Sequence, residues 1–101
     1  MTAHAFGIVP RSILIDPRLC HGARFLYALL ATYADEAFEC RPSAEELTQD
    51  SGCDGRTLRG LFAELEAQGY IERVPQHDAA GAPIASMIRL RMTWRTTDAT
   101  S

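Results

Sequence analysis

Lysine is missing altogether. All ten basic residues are arginine, set against thirteen Asp and Glu, which leaves a formal net charge of −3. An evenly basic surface that grips nucleic acid anywhere is thereby excluded, so contact with a polyanion has to come from a local patch. The missing lysine reads first as a composition bias and only second as a choice of arginine for bidentate contact with guanine or phosphate. Cysteine is scarce: Cys20, Cys40 and Cys53 are odd in number and form no CxxC pair. Neither a disulfide framework nor a zinc ribbon is indicated, and small buried or capping thiols are the simpler reading, even with His21 near Cys20. No apolar run approaches the roughly 18 residues that span a membrane. The opening MTAHAFGIVP lacks the basic-then-apolar layout of a signal peptide, so the expected location is the cytoplasm. There is also no nucleophile motif, no phosphate-cradling glycine loop and no acid pair in an evident pocket. No enzyme, cofactor or metal is expected; His77-Asp78 falls on a loop, where the geometry for general-base work is poor.

What is present fits one domain. A chain of 101 residues supports a single modest core, with the domain expected over residues 7–95 and flexible termini at 1–6 and 96–101. Gly7-Ile8-Val9-Pro10 reads as a short strand at a sheet edge, and Arg11–Ile15 as one helical turn started by Pro10 and broken by Asp16-Pro17. A longer helix is expected from about Leu19 to Ala34. Ala23, Leu26, Tyr27, Leu30 and Ala34 recur at helical spacing, with Phe25, Leu29 and Tyr33 widening the stripe into that of a central, many-sided core helix. Asp35–Pro42 reads as a loop with solvated acids.

Ser43 to Ile71 carries the strongest signal. Ser43 with Glu46 three residues on is a capping box. Leu47 supplies the buried contact, and Gly52 allows the left-handed stop. A second helix opens at Asp54, a strong N-cap residue. Leu58, Leu61, Phe62 and Leu65 fall at i, i+3, i+4 and i+7, which is one face of a 3.6-residue period. Gly69 ends it. Two helices joined by a short turn containing glycine are the helix-turn-helix pattern. A strand over Tyr70–Val74 follows, then a longer irregular tip over Pro75–Ser86. The return strand alternates Ile88, Leu90, Met92 and Trp94 with Arg89, Arg91, Thr93 and Arg95. That is period two, apolar in and basic out.

This order resembles the winged helix-turn-helix modules of small prokaryotic regulators and of plasmid or phage replication initiators. The residues that carry the resemblance are VPRSILIDPRLCHGARFLYALL at Val9–Leu30 and RPSAEELTQDSGCDGRTLRGLFAELEAQGYI at Arg41–Ile71. It implies an α+β fold with a three-helix core and a C-terminal β-hairpin wing. Ser43–Ser51 would be the positioning helix, Asp54–Gln68 the recognition helix and Tyr70–Trp94 the wing. It further implies double-stranded DNA as partner, a regulatory or replication-control role, and a dimer. Gly60 stands where many relatives carry Arg or Lys, and the wing tip has no arginine.

With the leucines turned inward, Gly55, Arg56, Arg59 and Gly60 face out near the start of the recognition helix. Two arginines between small residues let the backbone approach a duplex while the guanidinium groups reach bases or phosphates. Farther along, Glu64 and Glu66 are expected to repel phosphate. Thr57 and Ser43 are candidate phosphate donors, and Arg41, Arg73, Arg89 and Arg91 candidate neutralisers. The competing reading is a winged helix that binds protein through the acids Glu39, Glu45, Glu46 and Asp50, or through the apolar stretch Ala79–Ile84.

Overall fold

The computed structural model describes residues 4–91, with residues 83–85 described by their backbone alone. The elements are α1 (Arg11–Leu14), α2 (His21–Tyr33), β1 (Glu39–Cys40), α3 (Ala44–Ser51), α4 (Gly55–Ala67), β2 (Ile71–His77) and β3 (Pro83–Leu90). The sheet is antiparallel in the order β1-β3-β2, so the hairpin β2–β3 is the wing and β1 is added to its far edge. Helices and a small antiparallel sheet make an α+β winged helix-turn-helix. No helix among the described residues is long and apolar enough to cross a membrane.

Each long helix starts where a side chain can take up the orphan amides of its first turn. Ser43 accepts from the Glu46 amide at 3.0 Å while Glu46 accepts from the Ser43 amide at 3.0 Å, completing the capping box. Asp54 accepts from the Thr57 amide at 2.8 Å and so caps α4. Gly52, at φ 74°, closes α3 in the left-handed region, where a side chain would be strained.

The core gathers Ile13 and Leu19 around α2, Leu47 of α3, Leu58, Phe62 and Leu65 of α4, and Ile71, Ile88 and Leu90 of the sheet. On α2, Leu26, Tyr27 and Leu30 are completely buried. Phe25, expected to widen the apolar stripe, instead lies about half exposed.

Four expectations are corrected. Residues 7–10 form no strand. The third strand is Glu39–Cys40, inside the stretch read as a loop, where Glu39 pairs with Arg89 and Cys40 with Ile88. Two residues are too few to show a periodicity, which is why the sequence hid them. The acids of that loop are also not simply solvated, since the Asp35 carboxylate accepts from the amides of Ala37 and Glu39. Finally, the wing tip is shorter than expected. Ladder pairing continues to His77 and Pro83 across an irregularity at Pro75, which has no N–H to donate. Asp78 then organises the tip: its carboxylate accepts from the amides of Ala80 and Ala82, each at 2.9 Å, and Gly81 takes φ 86°. The alternation expected to continue through Met92 and Trp94 lies outside the described residues.

One buried carboxylate joins the N-terminal helices to the root of the wing. Asp16 accepts from the Tyr70 hydroxyl at 2.6 Å and from the Arg18 guanidinium at 2.7 and 3.0 Å. The Arg18 hydrogen bond, then that from Tyr70, holds its carboxyl far below the usual range despite the opposing cost of burial. A carboxyl depressed in this way stabilises the fold at pH values above its unfolded pKa, and that contribution is lost as pH falls below about 4. Asp16→Asn should therefore cost about 1–3 kcal/mol at neutral pH, since the Tyr70 and Arg18 donors lose a charged acceptor. Its acid-unfolding limb should be flatter than that of the unsubstituted protein. Equal stability of the two proteins in denaturant melts at pH 7 would contradict this role.

Candidate nucleic-acid interface

α4 runs for 13 residues, a rod about 20 Å long. Leu58, Phe62 and Leu65 are buried, and Leu61 is packed in part against the core. A hydrophobic face of that spacing turns the remaining positions outward: Gly55, Arg56, Thr57, Arg59, Gly60 and Ala63 are all exposed. At Gly55 and Gly60 an added Cβ would meet nothing within 4 Å. The first two turns of α4 thus present two guanidinium groups from a smooth, low surface. Neither Arg56 nor Arg59 enters an ion pair among the described residues. The Asp54 cap beside them lies below the ordinary carboxylate range, chiefly through the Thr57 amide, with the Arg56 amide and the Arg59 charge adding less.

Two acids farther along α4 have structural work of their own. Glu64, expected to repel phosphate, reaches across to the start of α2. There it accepts from the Cys20 amide at 2.8 Å and from the Cys20 thiol at 3.1 Å. The Cys20 amide, then its thiol, lowers the Glu64 carboxyl. A negative charge at the positive end of a helix dipole is favourable, and it closes the N-terminus of α2 to any external anion. Cys20 itself caps α2, its sulfur accepting from the Ala23 amide at 3.4 Å. Glu66 pairs with Arg73 at 2.9 Å, and the Arg73 guanidinium also lies 5.1 Å from the centre of the Phe62 ring.

The remaining candidates separate. Arg73 is held by Glu66, and Arg89 is held between Glu39 at 3.1 Å and Glu72 at 3.2 Å. Glu39 is the main cause of the raised pKa of Arg89. Neither wing-strand arginine is a spare cation. Arg41, Ser43 and Arg91 are exposed at their surfaces. Ser43 is committed as an acceptor to the capping box but keeps its hydroxyl proton. Arg91 is fixed by its backbone, whose amide donates to Tyr70 at 2.8 Å and whose carbonyl accepts from Tyr27 at 3.2 Å.

The acids that would recommend a protein partner are mostly occupied. Glu39 holds Arg89, Glu46 closes the capping box, and Asp50 accepts from the Tyr33 hydroxyl. Burial, and then that bond to Asp50, raises the Tyr33 phenol above its usual range. No group of three His, Cys, Asp or Glu among the described residues converges on a metal-sized site. Burial pushes the Cys40 thiol up to about 12, so it is an inert core residue. Glu64 and Asp16 were not legible as anchors between elements, because Cys20 lies 44 positions from Glu64 and Tyr70 lies 54 from Asp16.

Residues 18–71 match the family described as the helix-turn-helix domain. No curated protein and no solved structure matches the chain significantly.

Gly60 offers a direct check on this geometry. It lies in the exposed interior of α4, so Gly60→Ala should raise stability by about 1 kcal/mol in a denaturant melt. A loss of stability would mean that the helix face is covered rather than open.

Proposed function

Because the chain belongs to the helix-turn-helix domain family, we propose that it binds double-stranded DNA in a sequence-specific manner, with the first two turns of α4 in the major groove. The reading rests above all on the contrast among the arginines. Arg18, Arg73 and Arg89 are tied to acids, while Arg56 and Arg59 stand exposed and outside every ion pair among the described residues. A major groove about 12 Å wide admits the helix body, and Gly55 and Gly60 let its backbone come close. Arg56 and Arg59 are the proposed readers of base edges, guanine first. Thr57, Ser43, Arg41 and Arg91 are the proposed phosphate contacts that set register. Arg73 and Arg89 drop out of that set, because reaching phosphate would mean giving up their carboxylate partners.

The wing plays a lesser part in this scheme. Its tip carries Asp78 and His77 but no arginine, so it does not supply the cation that a minor-groove contact needs. The biological role that fits is transcriptional regulation or replication control. A homodimer is the proposed binding unit, since two copies would set their recognition helices on half-sites about one helical turn apart.

Selection from a random duplex library, repeated at two salt concentrations, tests the whole reading. A recovered consensus and a steep salt dependence are expected, and a library that stays random at both concentrations would overturn it. On the recovered site, Arg56→Ala or Arg59→Ala should each cost about 1–3 kcal/mol if the contact is bidentate to guanine. Arg91→Ala should weaken all sequences alike and flatten the salt slope by about one unit. Arg73→Ala and Arg89→Ala should leave that slope unchanged, and a full unit lost in either would restore it to the contact surface.

A further inference from the structure

Large apolar side chains left in water are confined to the front of the chain. Phe6, Ile8, Leu14, Ile15, Phe25 and Phe38 are the exposed ones among the described side chains, and none belongs to α3, α4 or the wing. Single exposed apolar residues are ordinary on any surface, but their gathering into one part of the fold is not. Phe6, Ile8, Leu14 and Ile15 stand on residues 4–16, which run back along α2 and are held at both ends. The His4 amide donates to the Thr32 carbonyl at 2.7 Å, and a Cβ on Gly7 would come within 2.7 Å of the Ala31 carbonyl carbon. At the other end the Arg24 guanidinium donates to the Asp16 carbonyl at 2.6 Å. Beside the start of this segment Phe6, Ile8, Ala31, Ala34, Phe38 and Leu90 line an apolar groove of about 910 Å³. Fixed backbone that holds large apolar side chains toward water marks a surface that something covers.

The layer matches itself. A two-fold contact uses the same patch on both molecules, so it needs a projecting part and a receiving part on one surface. Leu14 and Ile15 project at one end of the 4–16 segment, and the groove receives at the other. Charge is arranged in the same sense. Arg11, exposed and in no ion pair among the described residues, shares the single turn of α1 with Leu14, while Asp35 and Glu36 border the groove. With Phe6 81%, Phe25 50% and Phe38 39% exposed, these three rings alone leave on the order of 300 Å² in water, at roughly 200 Å² per ring. The aliphatic side chains and a polar rim carry the face toward the roughly 800 Å² that each partner gives to a standard interface. We propose that two copies of the chain pair through this layer about a two-fold axis. Leu14 and Ile15 of each copy enter the groove of the other, and Arg11 of each meets Glu36 of the other. The inference supplies the face of the homodimer in the proposed function, on which it rests, and it leaves the contacts of α4 untouched.

Sedimentation equilibrium of the full chain, without DNA, tests this face. A dimer mass that falls toward the monomer on dilution is expected. Ile8→Asp, in the groove, and Ile15→Asp, on the projection, should each give a monomer at the concentrations where the unsubstituted chain is dimeric, with the helical circular dichroism retained. Arg11→Glu should weaken the dimer about tenfold by setting like charges against each other twice across the axis, and Glu36→Arg in the same chain should restore it. A monomer at every concentration of the unsubstituted chain would overturn the inference together with the homodimer, while the duplex selection still judges DNA binding on its own. A dimer that survives both aspartate substitutions would overturn the face and leave the homodimer standing. Should an aspartate variant unfold, the charge reversal decides: rescue by the second substitution supports the contact, and a dimer unmoved by Arg11→Glu, or still weak in the double variant, overturns it.

Discussion

The seating of α4 on α2 is the constraint on which the rest of the molecule depends. Burying Leu58, Phe62 and Leu65 contributes roughly 1.5–3 kcal/mol each as an upper bound. Burial has no direction of its own, however, and it tolerates a helix that slides or turns slightly. Direction comes from Glu64, whose two hydrogen bonds to Cys20 fix α4 to the first residue before α2. Gly22 adds close contact at the same place, since a Cβ there would lie 3.1 Å from a Leu61 methyl. One residue's rotation of α4, about 100°, would carry Arg56 and Arg59 off the exposed face. The polar clamp is therefore what turns an amphipathic helix into an aimed one.

Charge follows the same logic. A chain that is acidic overall is an unpromising partner for DNA when judged by its sum, and the sum is misleading. Many of its acids are engaged within the fold: Asp16 with Arg18 and Tyr70, Glu66 with Arg73, Glu39 and Glu72 with Arg89, Asp50 with Tyr33. Exposed ion pairs of this kind add little stability. Their larger effect is to remove both partners from the field that a duplex would feel at close range. What is left at the start of α4 is two guanidinium groups and two glycines. Interactions beyond about 8–10 Å are screened at physiological salt, so the local arrangement outweighs the net value.

The sheet shows how little regular structure is needed to hold such a site. β1 has only two residues, yet it extends the wing on the side facing α2 and brings Glu39 to Arg89. Asp16 ties the turn before α2 to Tyr70 at the foot of β2. The wing is thus fastened at its base by a buried carboxylate and closed at its tip by an exposed one, Asp78.

The sequence by itself determined the helix-turn-helix. Ser43 with Glu46, Asp54, Gly52 and the spacing of Leu58, Phe62 and Leu65 are local signals, and local hydrogen bonds and a 3.6-residue period suffice to read them. It also determined which residues of α4 face outward, because periodicity fixes a face once the apolar side is known. Tertiary structure alone decided that Arg73 and Arg89 are taken while Arg56 and Arg59 are not, that Glu64 anchors rather than repels, and that Glu39–Cys40 is a strand where residues 7–10 are not. Each of those outcomes depends on a partner seven to fifty positions away. A linear pattern records what a residue prefers, but only the folded chain sets which opposite charge or open amide lies within 3 Å of it.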